Sequence, residues 1–399
     1  MTNVAILGFG VVGGGVADLI TKRRAEINKI TNGVTIRRIL DLRDFPNSPY
    51  EKLVTHNYDD IINDKEIDTV VECMGGSHPA YEFTLRALQS GKNVITSNKE
   101  VVAAYGDEFL RTARDFGVSY RYEAAVGGGI PVISPITSCL RHNKITDIAG
   151  ILNGTTNYIL TKMFTFGDSF ETALAEAQEK GYAEKNPDAD VLGKDTCRKI
   201  AILTAIATGK LISPDKIHTE GIVNIRRADV AAAESLGCSI KLLGRCSASE
   251  STVVMVAPYM IPNSSQLGTV SGVFNAVSVT GEPIGEVVFY GRGAGAGPTA
   301  SAIVQDIIQI AMGENKITPS FEKCDYDEAA YLAFTSQNYF AIDGIDRKTV
   351  REIFGNVQFI ENCDELAFVS APLSESAVAS LSERAEKMGA KILSRIRLY

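Results

Sequence analysis

The chain has 399 residues, well above the ~150 of an average domain, so two or three domains are expected. Hydrophobic residues make up 45% and charged residues 22% of the chain, and this ordinary globular composition excludes a mainly disordered protein. The net charge of −8 argues against a general nucleic-acid binder and against a protein that binds anionic membranes.

The seven cysteines form no C-x-x-C pair, and the four histidines show no metal-ligand spacing. This pattern favours a reducing, cytoplasmic location without a disulfide framework or a cysteine-rich zinc site. The N-terminus shows no signal-peptide pattern. The longest uncharged run, 251–281, contains prolines and many polar residues, which predicts strands and turns instead of a membrane span.

The first chemical motif follows a predicted strand at 4–7 (VAIL) and opens a helical pattern. It reads Gly8-Phe9-Gly10-Val11-Val12-Gly13, and all six residues are expected at the cofactor. Glycines at these spacings allow a tight turn and a close approach of the backbone to a pyrophosphate. The strand and helix on either side are the context that this motif requires, so it predicts dinucleotide binding.

Further strands are predicted in chain order at 34–40, 67–73, 92–96 and 118–122, with helices at 79–90 and 100–116. This alternation of strands and helices is typical of an α/β fold, a Rossmann-type open parallel sheet with helices on both faces. We therefore predict a nucleotide-binding domain over residues 1–132.

The end of the second predicted strand carries Asp41 and Arg43. Asp41 would accept a hydrogen bond from a ribose 2′-hydroxyl and favour NAD, whereas Arg43 could pair with the 2′-phosphate of NADP. The spacing alone leaves this choice open.

Two loops follow the next strands, one with Gly75 and one with Thr96, Ser97 and Lys99. Ligands of open α/β sheets bind beyond the carboxyl ends of the strands, so these residues are expected near the cofactor. A lysine at a helix start is mildly unfavourable against the helix dipole, which favours a functional Lys99 over a merely solvated one.

Two glycine-rich loops frame the middle of the chain. The first runs from Glu123 to Pro131, and its carbonyls could coordinate a hard cation together with Glu123, although a hinge is at least equally consistent. The second, 291–297, leads into a predicted helix at 298–314 that could pack back on the first domain. It suits close approach to a ligand or a hinge.

Residues 133–297 are predicted to form an α+β domain. The expected strands are 145–152, 239–248, 251–261, 268–280 and 286–290, and the expected helices are 155–165, 170–180, 188–208 and 227–236.

Asp195 and Lys199 are four residues apart, so they share one helix face with the apolar Ile202 and Ile206. Charges on a buried face are costly unless they are paired or functional. The pair is either a structural ion pair or a desolvated lysine that exchanges protons with a substrate alcohol and is held by its carboxylate. Glu184 and Asp190 would then be candidates for binding a substrate ammonium group.

The last residues, 320–399, are predicted to form a third domain. Its expected elements are strand 330–335, helix 346–354, strands 356–360 and 365–370, helix 374–389 and strand 391–398. This βαββαβ order is ferredoxin-like.

Six segments together resemble homoserine dehydrogenase: GFGVVG at 8–13, TSNKE at 96–100, EAAVGGGIPVI at 123–133, LNGTTNYIL at 152–160, GYAEKNPDADVLGKD at 181–195 and GRGAGAGPTASAIVQDI at 291–307. The resemblance implies reversible NAD(P)-dependent oxidation of L-homoserine to L-aspartate 4-semialdehyde, in threonine, methionine and isoleucine biosynthesis. It also implies a catalytic domain that dimerises, and a homodimer or homotetramer.

The resemblance also implies roles for individual residues. Lys199 becomes the proton donor and acceptor, Asp195 its partner and Lys99 a second catalytic lysine. Arg43 lies beside the adenosine phosphate, which favours NADP while NAD stays open. The implied cofactor contacts further include Gly75, Thr96, Ser97 and Gly297; the implied substrate contacts are Glu184, Asp190, Lys199 and Thr155; and the implied ligands of a monovalent cation such as sodium are Glu123, Val126, Gly128 and Ile130.

The C-terminal region resembles the ACT regulatory domain. It lacks the Asp-x-Pro-Gly turn of that domain, and Asp343-Gly344 is the nearest match, which puts an L-threonine effector in doubt. Two other functions stay open: another Rossmann amino-acid or semialdehyde dehydrogenase, and a non-catalytic sensor of nucleotides or amino acids. An acylating semialdehyde dehydrogenase would need a cysteine with a positioned histidine, and the sequence shows no such pairing.

Overall fold

The computed structural model describes residues 1–249, 251–314, 320–361 and 365–399. Cys363, one of the seven cysteines, lies outside these ranges. The chain forms two compact units. The first comprises 1–143, 201–214 and 291–324, and the second comprises 144–200, 215–290 and 325–399. The division into three domains at 1–132, 133–297 and 320–399 stays a prediction.

The first 143 residues alternate strands and helices. The strands are β1 (Thr2–Leu7), β2 (Val34–Leu40), β3 (Val54–Thr55), β4 (Thr69–Glu72), β5 (Asn93–Thr96) and β6 (Tyr120–Arg121). The helices are α1 (Val11–Lys22), α2 (Arg24–Ile30), α3 (Asp59–Ile62), α4 (Ala80–Gln89), α5 (Lys99–Asp115) and α6 (Ile133–Ser138). The strands pair in parallel in the order β3-β2-β1-β4-β5-β6. This order confirms the Rossmann-type sheet. Successive strands are added on one side of β1 up to β3 and on its other side from β4 onward, and such sheets bind nucleotides at the point between β1 and β4 where the order switches.

The middle of the chain adds further elements. Its strands are β7 (Lys144–Ile151), β8 (Lys210–Ile212), β9 (His218–Thr219), β10 (Cys238–Ala248), β11 (Thr252–Pro262), β12 (Phe274–Glu282) and β13 (Gly285–Arg292). Its helices are α7 (Gly154–Phe166), α8 (Phe170–Glu179), α9 (Asp188–Val191), α10 (Lys194–Thr208), α11 (Arg227–Ser235) and α12 (Ala296–Ala311). In the first unit, Ile303 and Ile307 of α12 join Val16 and Ile20 of α1 in one buried apolar cluster. The predicted strand 268–280 begins later, at Phe274.

The C-terminal residues contain β14 (Glu322–Cys324), α13 (Glu328–Ala333), β15 (Thr335–Ser336), β16 (Asn338–Asp343), α14 (Arg347–Phe354), β17 (Val357–Ile360), β18 (Leu366–Ser370), β19 (Leu373–Ser374), α15 (Glu375–Lys387) and β20 (Lys391–Leu398). The predicted strand at 330–335 is wrong, because this segment forms most of α13. The Asp327 side chain accepts a hydrogen bond from the Ala330 N–H and caps that helix. The first strand of the βαββαβ unit is β16 instead.

The sheet of the second unit is continuous from its middle to its C-terminal part. β7, β10, β11 and β12 pair antiparallel, and β20-β16-β18-β17 is the strand order of a ferredoxin-like unit. β20 joins the two parts because it pairs in parallel with β11, with Tyr259 opposite Arg397. The βαββαβ unit is therefore built into the sheet of the second unit. No helix within the described ranges combines the length and the apolar character needed to cross a membrane.

Candidate active site

The glycine turn after β1 has the shape that a pyrophosphate requires. A Cβ on Gly13 would lie 2.0 Å from the Gly8 carbonyl oxygen, so only glycine allows the turn to close. A Cβ on Gly10, in contrast, would meet no heavy atom within 4 Å. The start of α1 carries no acidic residue and no side-chain cap, so its backbone N–H groups suit an anion. These residues fit a dinucleotide.

Asp41 and Arg43 form one ion pair beside this turn. The Arg43 guanidinium donates two hydrogen bonds of 2.9 Å to the Asp41 carboxylate, which also accepts a 2.7 Å bond from the Phe9 N–H. The Arg43 bonds hold the pKa of Asp41 well below its usual range. Both residues that bear on the choice of cofactor therefore lie just after β2, and Arg43 neutralises Asp41.

Glu72 is a polar residue that sequence reasoning missed. It ends β4 with no exposed surface, and it accepts hydrogen bonds from the Thr96 hydroxyl at 2.5 Å and the Met74 N–H at 2.6 Å. Burial raises the pKa of Glu72 to about 7, against the opposing effect of these bonds. A carboxylate at the end of the apolar run TVVE was the available signal, because such burial is costly unless the group is paired.

The same network fixes the two predicted cofactor loops. Thr96 is fully buried, and its hydroxyl also accepts from the Asn98 N–H, so its side chain supports the loop. Asn98 caps α5 by accepting from two backbone N–H groups and donates to the Gly76 carbonyl at 2.7 Å. Lys99 begins α5, directly after this cap. Asn98 thus joins the loop of Gly75 to the loop of Ser97 and Lys99.

The two glycine-rich loops of the first unit contact each other. A Cβ on Gly128 would lie 2.2 Å from the Gly293 carbonyl oxygen, so the backbones touch directly. The Glu123 carboxylate accepts three backbone N–H bonds of 2.6–2.9 Å from the start of α6. These three bonds fix the carboxylate at the start of α6. Among the described residues, no group of three or more His, Cys, Asp or Glu side chains could hold a metal ion.

In the second unit, the i,i+4 spacing on α10 produces the ion pair that it predicts. The Lys199 Nζ lies 2.8 Å from the Asp195 carboxylate and donates a 2.7 Å bond to the Leu152 carbonyl. Asp195 is 4% and Lys199 8% exposed, so both charges are nearly removed from water. Ile202 is fully buried on the same face, whereas Ile206 is partly exposed.

Asn153 is the second polar residue that sequence reasoning missed. Its amide donates to Asp195 at 2.9 Å and to Asp190 at 2.7 Å, while its carbonyl oxygen caps α7. The structure thus brings Asp190, Asp195 and Lys199 together around one amide. The only available signal was an asparagine before the helical pattern of LNGTTNYIL, typical of an N-cap.

Of the other predicted substrate contacts, Thr155 lies in α7 and Glu184 lies on the segment that precedes α9. The Thr155 hydroxyl donates to the Tyr182 carbonyl at 2.7 Å and ties this segment to the start of α7. Glu184, two residues further on, has an exposed side chain. Thr155 therefore holds the backbone of this segment, and Glu184 stands where a solute can reach it.

Comparison with known proteins identifies the family. Residues 8–123 match the NAD-binding domain of homoserine dehydrogenase, and residues 131–308 match the homoserine dehydrogenase domain. A homoserine dehydrogenase of Synechocystis sp. is 41% identical, over 88% of this chain and 81% of the relative. The chain belongs to the homoserine dehydrogenase family. A homoserine dehydrogenase of Lactococcus lactis is 37% identical, over 86% of this chain and 83% of its own length.

Solved structures of homoserine dehydrogenases share the fold. The structure from Thiobacillus denitrificans superposes with a TM-score of 0.90 at 32% identity and covers all of this chain and 98% of its own. A hyperthermophilic archaeal homoserine dehydrogenase mutant in complex with NADPH gives a TM-score of 0.69 at 25% identity, over 79% of this chain and 99% of its own. As a homoserine dehydrogenase, the chain is an NAD(P)-dependent oxidoreductase that acts on homoserine and its semialdehyde.

Proposed function

We propose that Lys199 carries the proton in the interconversion of L-homoserine and L-aspartate 4-semialdehyde by this homoserine dehydrogenase. The observation that carries the proposal is the nearly buried ion pair of Lys199 with Asp195, 2.8 Å apart. A buried lysine shifts its proton affinity readily, which suits a general base or acid.

The proton path follows from these contacts. During oxidation the homoserine hydroxyl gives its proton to Lys199 in its deprotonated amine form, and a bound NADP would supply the acceptor for the hydride that the carbon loses. The Asp195 carboxylate stabilises the resulting ammonium ion, and Asn153 keeps that carboxylate in place. In reduction the same ammonium group returns the proton. We assign Lys99 as the second catalytic lysine, whose charge stabilises the developing alkoxide.

The substrate ammonium group needs anionic partners. We assign this role to Glu184, which is exposed, and to Asp190, which shares Asn153 with Asp195. The hydrogen bond from Thr155 to Tyr182 supports the segment that carries Glu184. One amide thus links a substrate contact to the catalytic pair.

For the cofactor we propose NADP. Arg43 already neutralises Asp41, the residue that would otherwise select the ribose 2′-hydroxyl of NAD, and it is exposed enough to pair with a 2′-phosphate. We place a monovalent cation such as sodium at the Glu123 carboxylate and the carbonyls of Val126, Gly128 and Ile130. No step of the reaction depends on that cation.

The wider setting of the enzyme is also a proposal. We infer a cytoplasmic enzyme of threonine, methionine and isoleucine biosynthesis that forms a homodimer or homotetramer. The ferredoxin-like strand order of β16–β20 supports an ACT-like regulatory unit, with L-threonine as the effector to test first.

Replacement of Lys199 by alanine tests the central proposal. We expect kcat to fall by about a hundredfold or more, because a general base contributes roughly that much, while NADPH still binds as in the wild type. Lys194→Ala is the matched control, since Lys194 is exposed on the same helix. The assay follows NADPH oxidation after addition of aspartate semialdehyde, with and without threonine. Normal turnover by Lys199→Ala would refute the assignment.

A further inference from the structure

A cluster of buried and half-buried charged side chains joins the C-terminal strand to the loop after β9. This Glu220 cluster consists of His218, Glu220, Glu375, Arg395 and Arg397. Arg397 is fully buried; it donates to Glu220 at 2.7 Å and to both oxygens of Glu375 at 2.8 and 2.9 Å. Arg395 donates to Glu375 at 2.7 Å and lies 3.7 Å from Glu220. Two arginines and two glutamates thus balance each other's charge.

Glu220 is strongly held within this cluster. His218 lies 2.7 Å from the same carboxylate oxygen that Arg397 contacts. Burial alone would raise the pKa of Glu220, but the bond from His218 and the charge of Arg397 outweigh it and lower the pKa to about 2. Glu220 is therefore a carboxylate throughout the neutral range.

The backbone next to Glu220 contacts the connection between α9 and α10. The Ile222 N–H donates to the Val191 carbonyl at 2.8 Å. A Cβ on Gly221 would lie 2.2 Å from that carbonyl, so only glycine permits this approach. On its other side, the Glu220 N–H is bonded to the Val256 carbonyl of β11 at 2.8 Å. Residues 219–222 thus lie packed between β11 and residues 191–193.

Residues 191–193 connect the proposed substrate ligand to the proposed catalytic pair. Asp190 lies in α9, just before this connection, and Asp195 and Lys199 lie in α10, just after it. Asn153 binds both aspartates, so a shift of the connection moves their carboxylates relative to one amide. A displacement of about 1 Å at such groups is enough to cost a large part of the rate.

We propose that Glu220, held by Arg397 of the C-terminal strand, is a positioning residue that sets Asp190, Asp195 and Lys199 through residues 191–193. The inference rests on the proposed function of those three residues. The proposal links the C-terminal strand to catalysis, because Arg397 of that strand fixes the loop of Glu220, and this loop contacts residues 191–193.

Glu220→Gln tests this link, with Arg397→Lys as the milder variant that keeps the charge but loses the forked bonds to two carboxylates. We expect Glu220→Gln to lower kcat about tenfold or more and to raise the KM for homoserine roughly fivefold, with the KM for NADP unchanged. Arg397→Lys should change the same two constants in the same direction by less. A merely structural role would lower the amount of active enzyme and leave the KM for homoserine unchanged.

Glu365→Gln is the matched control. Glu365 forms a 2.7 Å ion pair with Arg226, and this pair also ties the C-terminal elements to the rest of the second unit. For Glu365→Gln we expect kcat and the KM for homoserine to stay near the wild-type values, even if its melting temperature falls as far as that of Glu220→Gln. The link would be overturned if Glu220→Gln and Glu365→Gln had equal kinetics. It would also be overturned if the KM for homoserine were unchanged in Arg397→Lys and Glu220→Gln.

Lys199→Ala separates failure of this inference from failure of the proposed function. If Lys199→Ala turns over normally while Glu220→Gln still raises the KM for homoserine, the role of Lys199 is wrong and the link from Glu220 to the substrate contact stands. If Lys199→Ala is inactive while Glu220→Gln matches its control, the role of Lys199 stands and the link is wrong.

Discussion

At the scale of single residues, Glu72 makes the stability of the first unit depend on pH. Its pKa is raised from 4.5 to about 7, so the folded state keeps the proton to a higher pH than the unfolded chain does. The associated stability is complete below pH 4.5 and is lost as the pH rises to about 7. The loss amounts to roughly 3 kcal/mol, since one pKa unit corresponds to about 1.4 kcal/mol.

We therefore expect Glu72→Gln to gain stability relative to the wild type as the pH rises from 4.5 to 8, because its amide never ionises. Urea unfolding at several pH values measures this difference. Glu51→Gln, at an exposed glutamate of the same unit, is the control and should show no such trend. A difference between Glu72→Gln and wild type that stays constant with pH would contradict the raised pKa.

Arg43 carries the prediction on cofactor choice. Bidentate hydrogen bonds to a phosphate contribute about 1.5–3 kcal/mol, so Arg43→Ala should raise the KM for NADP by about tenfold to a hundredfold. The KM for NAD should fall or stay unchanged, because the Asp41 carboxylate becomes free to accept a ribose hydroxyl. Steady-state kinetics with both nucleotides, against the exposed Arg24→Ala, measures this. An unchanged ratio of the two KM values would show that Arg43 does not contact the 2′-phosphate.

At the scale of the elements, two glycines of the turn between β1 and α1 have different roles: Gly13 is needed for folding and Gly10 for cofactor binding. A methyl group on Gly13 would overlap the Gly8 carbonyl, so Gly13→Ala should lower the free energy of unfolding by about 3 kcal/mol or more. A methyl group on Gly10 meets open space, so Gly10→Ala should keep the wild-type stability to within about 0.5 kcal/mol. Gly10→Ala should nevertheless weaken NADPH binding, because the methyl group occupies the space above the turn. Thermal unfolding and a fluorescence titration with NADPH distinguish the two; equal melting temperatures would contradict the steric argument.

Elements with a strong local pattern could be predicted from the sequence. The strand VAIL, its glycine turn and the i,i+4 pair of Asp195 and Lys199 depend on neighbours within one or two helical turns, and the structure shows all three. The segment at 330–335 was misassigned because a short apolar run such as YLAF fits a strand or a helix, and the Asp327 cap decides for the helix. Asn153 could not be connected to Asp190 and Asp195, since they lie 37 and 42 residues further along the chain. Such partners depend on how the elements pack, which local patterns do not contain.

At the scale of the whole molecule, the C-terminal elements complete the sheet of the second unit. β20 covers the edge of β11, and the fully buried Asp229 accepts hydrogen bonds from Ser394 at 2.6 Å and Tyr339 at 3.1 Å. Removal of these elements would expose a strand edge, which is a site of aggregation, and would leave Asp229 without these two partners. Removal of a dispensable regulatory domain would neither expose a strand edge nor take hydrogen-bond partners from a buried carboxylate.

We therefore expect a chain that ends at Cys324 to aggregate instead of yielding an unregulated enzyme. Co-expression with residues 325–399 as a separate chain should restore soluble protein, because β20 can still pair with β11 and Arg397 can still reach Glu220. Size-exclusion chromatography and copurification through a tag on the longer fragment measure both outcomes. If the rescue needs Arg397, the Arg397→Met fragment should copurify poorly, whereas a fragment changed at the exposed Lys387 should copurify as the unchanged fragment does. A monodisperse and active 1–324 chain would show instead that the sheet of the second unit closes at β11, and that the C-terminal strand is an addition to a finished fold.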